Sequence, residues 1–270
     1  MILTVKHTTI YKYSEYPARS VQMIRLSPQN NSHQTVVSWS VKTPISAFTT
    51  FDWFGNKSLC LAFDKSNIRH RAIEIVAKGE VITNSLSSNN EIGSLPLDYY
   101  LNSTELTDYS SAMEMIANDF KHLQSLSDES SLLDGFTHLS SRVLTDVPYT
   151  TGVTNAVTSA ATALDMAAGV CQDHSHIMLS IARKLGFPAR YVSGYIYSTD
   201  TSHVASHAWL EIWFANAWHS FDVSNQCQAG EAHIILAYGL DYVDASPIRG
   251  SRIGGGDEEM ETYTIVQVNQ

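Results

Sequence analysis

Gly169-Val170-Cys171-Gln172-Asp173-His174 decides the reading of this chain, because it carries a cysteine out of a tight turn and into the first turn of a helix. The helix is read from Ile177, Ile181 and Leu185, with Met178 and Ala182 beside them. Gly186-Phe187-Pro188 stops it, glycine at the end and proline just beyond. A cysteine so placed faces free amide N–H groups and the positive end of the helix dipole, which favour thiolate over thiol. The same N–H groups suit the oxyanion of an attacked carbonyl. Asp173 is read as a cap on this turn, and Gln172 as a neighbour of the site.

A thiolate needs a base, and the base needs a group to orient it. Ser206-His207-Ala208-Trp209-Leu210-Glu211-Ile212-Trp213-Phe214 has the aromatic and branched content of a strand. His207, Trp209, Glu211 and Trp213 share one of its faces. Ala215-Asn216 reads as a two-residue turn, after which Trp218-His219-Ser220-Phe221-Asp222 returns antiparallel. If Phe214 pairs with Ala217, Asp222 falls opposite Trp209 and diagonal to His207. Diagonal neighbours of that kind are roughly 7–8 Å apart at Cα, within side-chain reach. A slip of one residue would put the pair on opposite faces.

Four blocks in this order, GVCQDH, ARYVSGYIY (Ala189 to Tyr197), SHAWLE (Ser206 to Glu211) and FDVSN (Phe221 to Asn225), resemble the bacterial transglutaminase-like family. YPAR (Tyr16 to Arg19) and DWFGN (Asp52 to Asn56) are similar to that family's β-rich N-terminal region, and Asp241 to Gly250 with Gly254-Gly255-Gly256 to its C-terminal segment. The resemblance implies a papain-related core with a Cys-His-Asp triad, here Cys171, His207 and Asp222. Val223-Ser224 departs from the Pro-Thr of many relatives; serine keeps the hydroxyl, and losing proline loosens the turn. The implied chemistry is acyl transfer at an amide bond of a protein or peptide substrate, read first as cysteine-protease or amidase hydrolysis. Transglutaminase-type transfer to an amine uses the same triad, and Trp209 and Trp213 would favour it by excluding water. A non-enzymatic binding module on the same fold is the third reading. An aromatic in the loop of Tyr149 also belongs to the resemblance, and its hydroxyl is weighed as an oxyanion donor against a packed loop tyrosine.

Composition narrows the partners. Hydrophobic residues make up 44% and charged residues 16% of 270, the profile of a globular chain. A formal net charge of -10 argues against nucleic acid or an anionic membrane surface as partner. Cys60, Cys171 and Cys227 are an odd count without CxxC spacing, which fits a reducing compartment. The opening residues lack the apolar core of a signal peptide, and no run reaches the ~20 apolar residues of a membrane span, so a cytoplasmic location is expected. No cofactor is expected: His174, His176, His203 and His207 near Cys171 raise a zinc reading, but no second cysteine lies at ligand spacing. Gly254-Gly255-Gly256 lacks the Lys-Ser/Thr of a phosphate loop and is read as a flexible turn.

The expected fold is α+β: an antiparallel β-sandwich over 1–105, then a transglutaminase-like core over 106–270 whose cysteine helix packs on an antiparallel sheet. Strands are expected in the first residues, at Thr35 to Thr43, Lys57 to Phe63, Arg71 to Ala77 and Gly79 to Thr83, with a loop at Ser85 to Asn90. The sandwich is read as a platform for folding, or as one wall of the substrate cleft. Helices are expected at Ser110 to Leu123, along the stripe Leu132, Phe136, Leu139 and Val143, and at Thr158 to Leu164. Thr262 to Val268 is expected to close a sheet.

Overall fold

The computed structural model describes residues 1–68, 70–85, 88–91, 93–199 and 206–269. The N-terminal strands are β1 (Ile2–Tyr13), β2 (Pro17–Ile24), β3 (Gln34–Lys42), β4 (Phe48–Phe51), β5 (Lys57–Phe63) and β6 (Ala72–Thr83). A two-residue strand β7 (Ser88–Asn89) precedes the helices α1 (Ser111–Asp119), α2 (Glu129–Asp146), α3 (Ala160–Met166) and α4 (Cys171–Lys184). Then come β8 (Ala189–Ile196), β9 (Ser206–Phe214), β10 (Ala217–Phe221), β11 (His233–Gly239), a short α5 (Tyr242–Ala245), β12 (Ile248–Gly254) and β13 (Glu258–Val268). Among the described residues no helix is long and apolar enough to cross a membrane.

Alternation builds the sandwich. In β1, Leu3, Val5, Tyr11 and Tyr13 point inward and pack with Ile73 and Ile75 of β6, Leu61 and Phe63 of β5 and Ile24 of β2. Each such side chain taken from water contributes about 1.5–3 kcal/mol. The two sandwich sheets run β13-β1-β6-β3 and β12-β2-β5-β4, and a five-stranded sheet, β11-β8-β9-β10-β7, forms the core. Tyr195 of β8 and Ile234 and Leu236 of β11 enter the sandwich cluster, so one apolar layer joins the two parts.

Three expectations need correction here. The C-terminal segment does not belong with 106–270: β13 pairs with β1 over its whole length, and β12 with β2, so residues 248–268 complete the sandwich. The alternation of a polar edge strand says that it is a strand and does not say which strand it joins. Arg71 to Ala77 and Gly79 to Thr83 are one strand, β6. Gly79 marks a close approach, since a Cβ there would lie 2.1 Å from the Ser38 carbonyl oxygen, beside a register shift between Val36 and Ser38. In the expected loop Ser85 to Asn90, Ser88 and Asn89 pair with β10 at the edge of the core sheet; Leu86 and Ser87 lie outside the described residues.

The helix α4 sits at the centre of the core. Ile177, Ile181 and Leu185 pack against Leu210, Ile212 and Phe214 of β9 as the periodicity implies. From Asp173 to Arg183 the rest of the helix is covered as well, so polar residues such as Arg183 are buried and find partners. Arg183 donates to the carbonyls of Tyr100, Ala189 and Leu240 and to Thr107 Oγ1. On the far side Phe136 of α2 meets Phe187, Phe214 and Phe221 at ring distances of 5.0, 5.5 and 5.9 Å.

Candidate active site

Cys171 is the first residue of α4. Gly169 lets the chain enter there: a Cβ on it would lie 2.8 Å from Asp173 Cβ and 2.9 Å from Asp173 Oδ2. Asp173 is the cap expected from sequence. Its Oδ2 accepts from the Val170 N–H at 2.8 Å and from Thr154 Oγ1 at 2.7 Å. The first N–H groups of the helix, that of Cys171 included, have no acceptor within the helix itself.

The hairpin has the predicted register, Phe214 with Ala217 through Leu210 with Phe221. Ala215 and Asn216 turn it with φ of 48° and 61°, the left-handed pair of a tight two-residue turn. Asp222 then leaves the ladder. Instead of lying opposite Trp209, its N–H donates to the Cys227 carbonyl at 2.8 Å. Its carboxylate still meets His207: Nε2 to Oδ2 is 2.7 Å. Cys171 acts on the same ring, since its hydrogen bonding and charge are among the causes that raise the His207 pKa. Imidazole and carboxylate are thus in contact, and Cys171 lines the same cavity as His207.

Each charge in the row is perturbed by the others. Burial of Asp222 opposes ionisation, but hydrogen bonds from His207 and His233, with the charge of His207, outweigh it and hold the carboxyl below the usual range. Burial also opposes a charged His207. Hydrogen bonds to Asp222 and Cys171, with the charge of both partners, overcome that and push the ring up to about 10.

His233, of β11, was not singled out by sequence. Its Nδ1 accepts from the Gly230 N–H at 3.2 Å, so Nε2 carries the proton and donates to Asp222 Oδ2 at 3.1 Å. Asn225 adds two more donors to Asp222, its Nδ2 to Oδ2 at 2.7 Å and its N–H to Oδ1 at 3.2 Å. Asn225 and Ser224 thus tie down the turn in which proline is missing, since Ser224 Oγ meets His174 Nδ1 at 2.9 Å. Signals for His233 were thin: one histidine among 11, eleven residues from its partner and outside the hairpin.

Other expected residues sort as follows. His174 Nε2 meets the Val147 carbonyl at 2.7 Å, and burial pulls its pKa down. His176 Nε2 accepts from the Tyr242 N–H at 3.1 Å, and burial lowers its pKa to about 3. Both are structural. His203 lies outside the described residues. Gln172 Nε2 donates to the Ala156 carbonyl at 3.3 Å. Tyr149 is half-exposed, and burial and the nearby charges of Cys171 and Asp222 raise its pKa. Of the two tryptophans expected around the triad, Trp209 stacks on His207 at 6.1 Å between rings and Trp213 lies away from it. Trp209 is fully buried against His233, at 5.1 Å between rings, and Trp213 packs on Trp218 at 5.4 Å; neither lines the cleft. His207, Asp222 and His233 also sit close enough to suggest three metal ligands. The Nε2 proton of His233 speaks against it, because a ligand nitrogen must offer a lone pair.

A cavity of about 270 Å³ opens beside Cys171 and His207. Its opposite side is formed by the sandwich, with His7, Thr9 and Tyr11 of β1 and Met260 and Thr262 of β13.

Residues 122–223 match the Transglutaminase-like superfamily, and residues 3–82 match the Bacterial transglutaminase-like N-terminal region. An uncharacterised protein of Mycobacterium leprae is 28% identical over 279 residues, covering 98% of each chain. An uncharacterised protein of Mycobacterium tuberculosis is 27% identical over 281 residues, covering 91% of this chain and 86% of the other. Among solved structures, a candidate cysteine protease from Cytophaga hutchinsonii superposes with a TM-score of 0.77 at 17% identity, over 100% of this chain and 92% of that one. That likeness is one of fold.

Proposed function

The chain belongs to the transglutaminase-like superfamily, and on that premise we propose that it is a thiol-dependent hydrolase of amide bonds in protein or peptide substrates, with Cys171, His207 and Asp222 as its catalytic groups. The observation that carries the reading is the His207–Asp222 hydrogen bond beside Cys171 at a helix N-terminus, with Cys171 and His207 on the wall of one cleft. In the resting pair the Cys171 proton lies on His207, and in the first half-reaction the thiolate Sγ attacks the amide carbon. The Cys171 N–H helps hold the oxyanion. The C–N bond breaks, His207 hands its proton to the leaving amine, and a thioester remains. Water then attacks, giving a proton to His207. The C–S bond breaks, the acid leaves, and the thiolate–imidazolium pair is restored. Asp222 keeps the imidazole in one tautomer and stabilises its charge.

Alkylation by iodoacetamide near pH 6 tests the thiol. Fast single-site reaction that Cys171→Ala abolishes and His207→Ala slows supports the enzyme; ordinary thiol kinetics supports a binding module. Because the His207 pKa is raised from 6.5 to about 10, its protonated form and the stability it adds are full below 6.5 and are lost as pH rises through about 10. A change in the alkylation rate is therefore expected as pH rises through about 10, where the imidazolium beside Cys171 is lost. A glutamine peptide offered with a labelled amine separates the outcomes of the acyl-enzyme. Free acid or new peptide ends mean hydrolysis, and incorporated label means transfer to amine.

A further inference from the structure

Building on this acyl-transfer reading, we propose that the cleft beside Cys171 takes an uncharged substrate side chain and that the sandwich supplies the wall that enforces the choice. Sulfur and imidazole form one side of the cavity; His7, Thr9, Met260 and Thr262 face them from β1 and β13. Among the described residues no aspartate, glutamate, lysine or arginine lines it. A volume of about 270 Å³ suits one side chain rather than a long ligand.

The wall is fixed, polar and neutral. His7 hydrogen-bonds the Tyr195 hydroxyl through Nδ1 at 2.9 Å and Thr9 Oγ1 through Nε2 at 3.0 Å. Burial lowers its pKa to about 4, so it carries no charge at neutral pH. The nearby strand β13 does bear carboxylates, but Glu259 and Glu261 turn to Lys12 on the outer surface and Glu258 pairs with Arg252 at 3.0 Å. A cationic side chain in the cleft thus finds no carboxylate along its lining, and an anionic one finds no cation other than His207, which Asp222 and Cys171 already hold. With thiolate, imidazolium and carboxylate counted together, the row carries one net negative charge, which disfavours an anion further. Burying either charge without a partner is costly. Ser206 Oγ and Thr264 Oγ1, 3.4 Å apart, join β13 to the start of β9 and hold this wall beside His207.

The test uses the intact chain and short acetylated peptide amides that differ at one position, Leu, Gln, Lys or Glu. Each is scored by the concentration that halves the rate of Cys171 alkylation by iodoacetamide. The Leu or Gln peptide is expected to protect at a concentration at least about tenfold below that of the Lys and Glu peptides, equal to about 1.4 kcal/mol. Thr262→Arg and, separately, Met260→Arg place a cation on the exposed mouth and are expected to bring the Glu peptide up by about tenfold. Equal protection by all four peptides, protection by none, or an unchanged order in both variants with circular dichroism intact would overturn the proposal. Loss of the acyl-transfer reading looks different: without peptide, Cys171 would react at an ordinary thiol rate that His207→Ala leaves unchanged.

Discussion

Arg190 and Glu211 meet on neighbouring strands of the core sheet, Nη2 to Oε2 at 2.6 Å with both side chains buried, whereas Lys12 and Glu261 pair on the water-exposed outside of the sandwich. The Arg190 guanidinium lies 4.2 Å from the Trp218 ring centre and 3.9 Å from that of Tyr238. The Lys12 ammonium has water on most sides. Charge in the core sheet is therefore held by geometry, and charge on the sandwich by solvent. A buried ion pair is costly to make and more costly to half-remove; an exposed one is worth little either way. Asp222 belongs to the first kind. It is fully buried and accepts from His207, His233 and Asn225.

The largest effect follows from that contrast. Asp222→Asn keeps the size and loses the charge, and its amide nitrogen can point at His207 as a second donor. A fall of about 10³–10⁴ in kcat/KM is expected, with slower Cys171 alkylation as a readout that needs no substrate. A loss below tenfold would mean that the carboxylate only packs. Next, Glu211→Gln leaves Arg190 buried without its counter-charge and is expected to cost about 3–5 kcal/mol in urea unfolding. Replacing both partners by methionine is expected to recover most of that. If the single change proves neutral, the division between core and surface pairs breaks down.

The same division explains what could be read from the sequence. Cys171, His207 and Asp222 were legible because each sits on a local pattern: a helix start, a strand alternation and a two-residue turn that sets the register. The inward face of β1 carried a signal that was passed over, His7 and Thr9 interrupting the apolar run of Leu3, Val5, Tyr11 and Tyr13. The pairing of β1 with β13 was not legible, because their separation in the chain is nearly its full length and alternation does not name a partner. Trp213 misled because face-sharing with His207 does not say which neighbour covers that end of the face, here Trp218.

His233 is the long-range member of the site, and its effect should be smaller. It donates to Asp222, and a hydrogen bond to a charged group is worth about 1.5–3 kcal/mol. His233→Leu is expected to lower kcat/KM by about tenfold, and His233→Gln, which keeps a donor, to restore part of it. The acid side gives the sharper reading. Asp222 is depressed below the ordinary carboxyl value of 3.8 in part by His233. Its stabilisation is present above 3.8 and lost as pH falls through the lower folded value. Removing His233 raises that folded value, so acid loss of stability should begin at higher pH in His233→Leu than in the parent. An unchanged acid profile would reduce His233 to packing.

The smallest effect lies on the sandwich. Glu261→Gln removes the partner of Lys12, whose pKa that hydrogen bond raises, yet both groups are open to water. Glu259 lies 3.9 Å from the same ammonium, so Lys12 keeps a neighbour of opposite sign, and what remains is screened over roughly 10 Å at 0.1 M salt. Unfolding midpoint and kcat/KM are expected to match the parent within error at that salt. The result matters because β13 also carries Met260 and Thr262 on the cleft. A clear loss of activity in Glu261→Gln, with stability unchanged, would mean that the outer charges of β13 act on the site, and that the sandwich is electrically coupled to a cleft whose own lining is neutral.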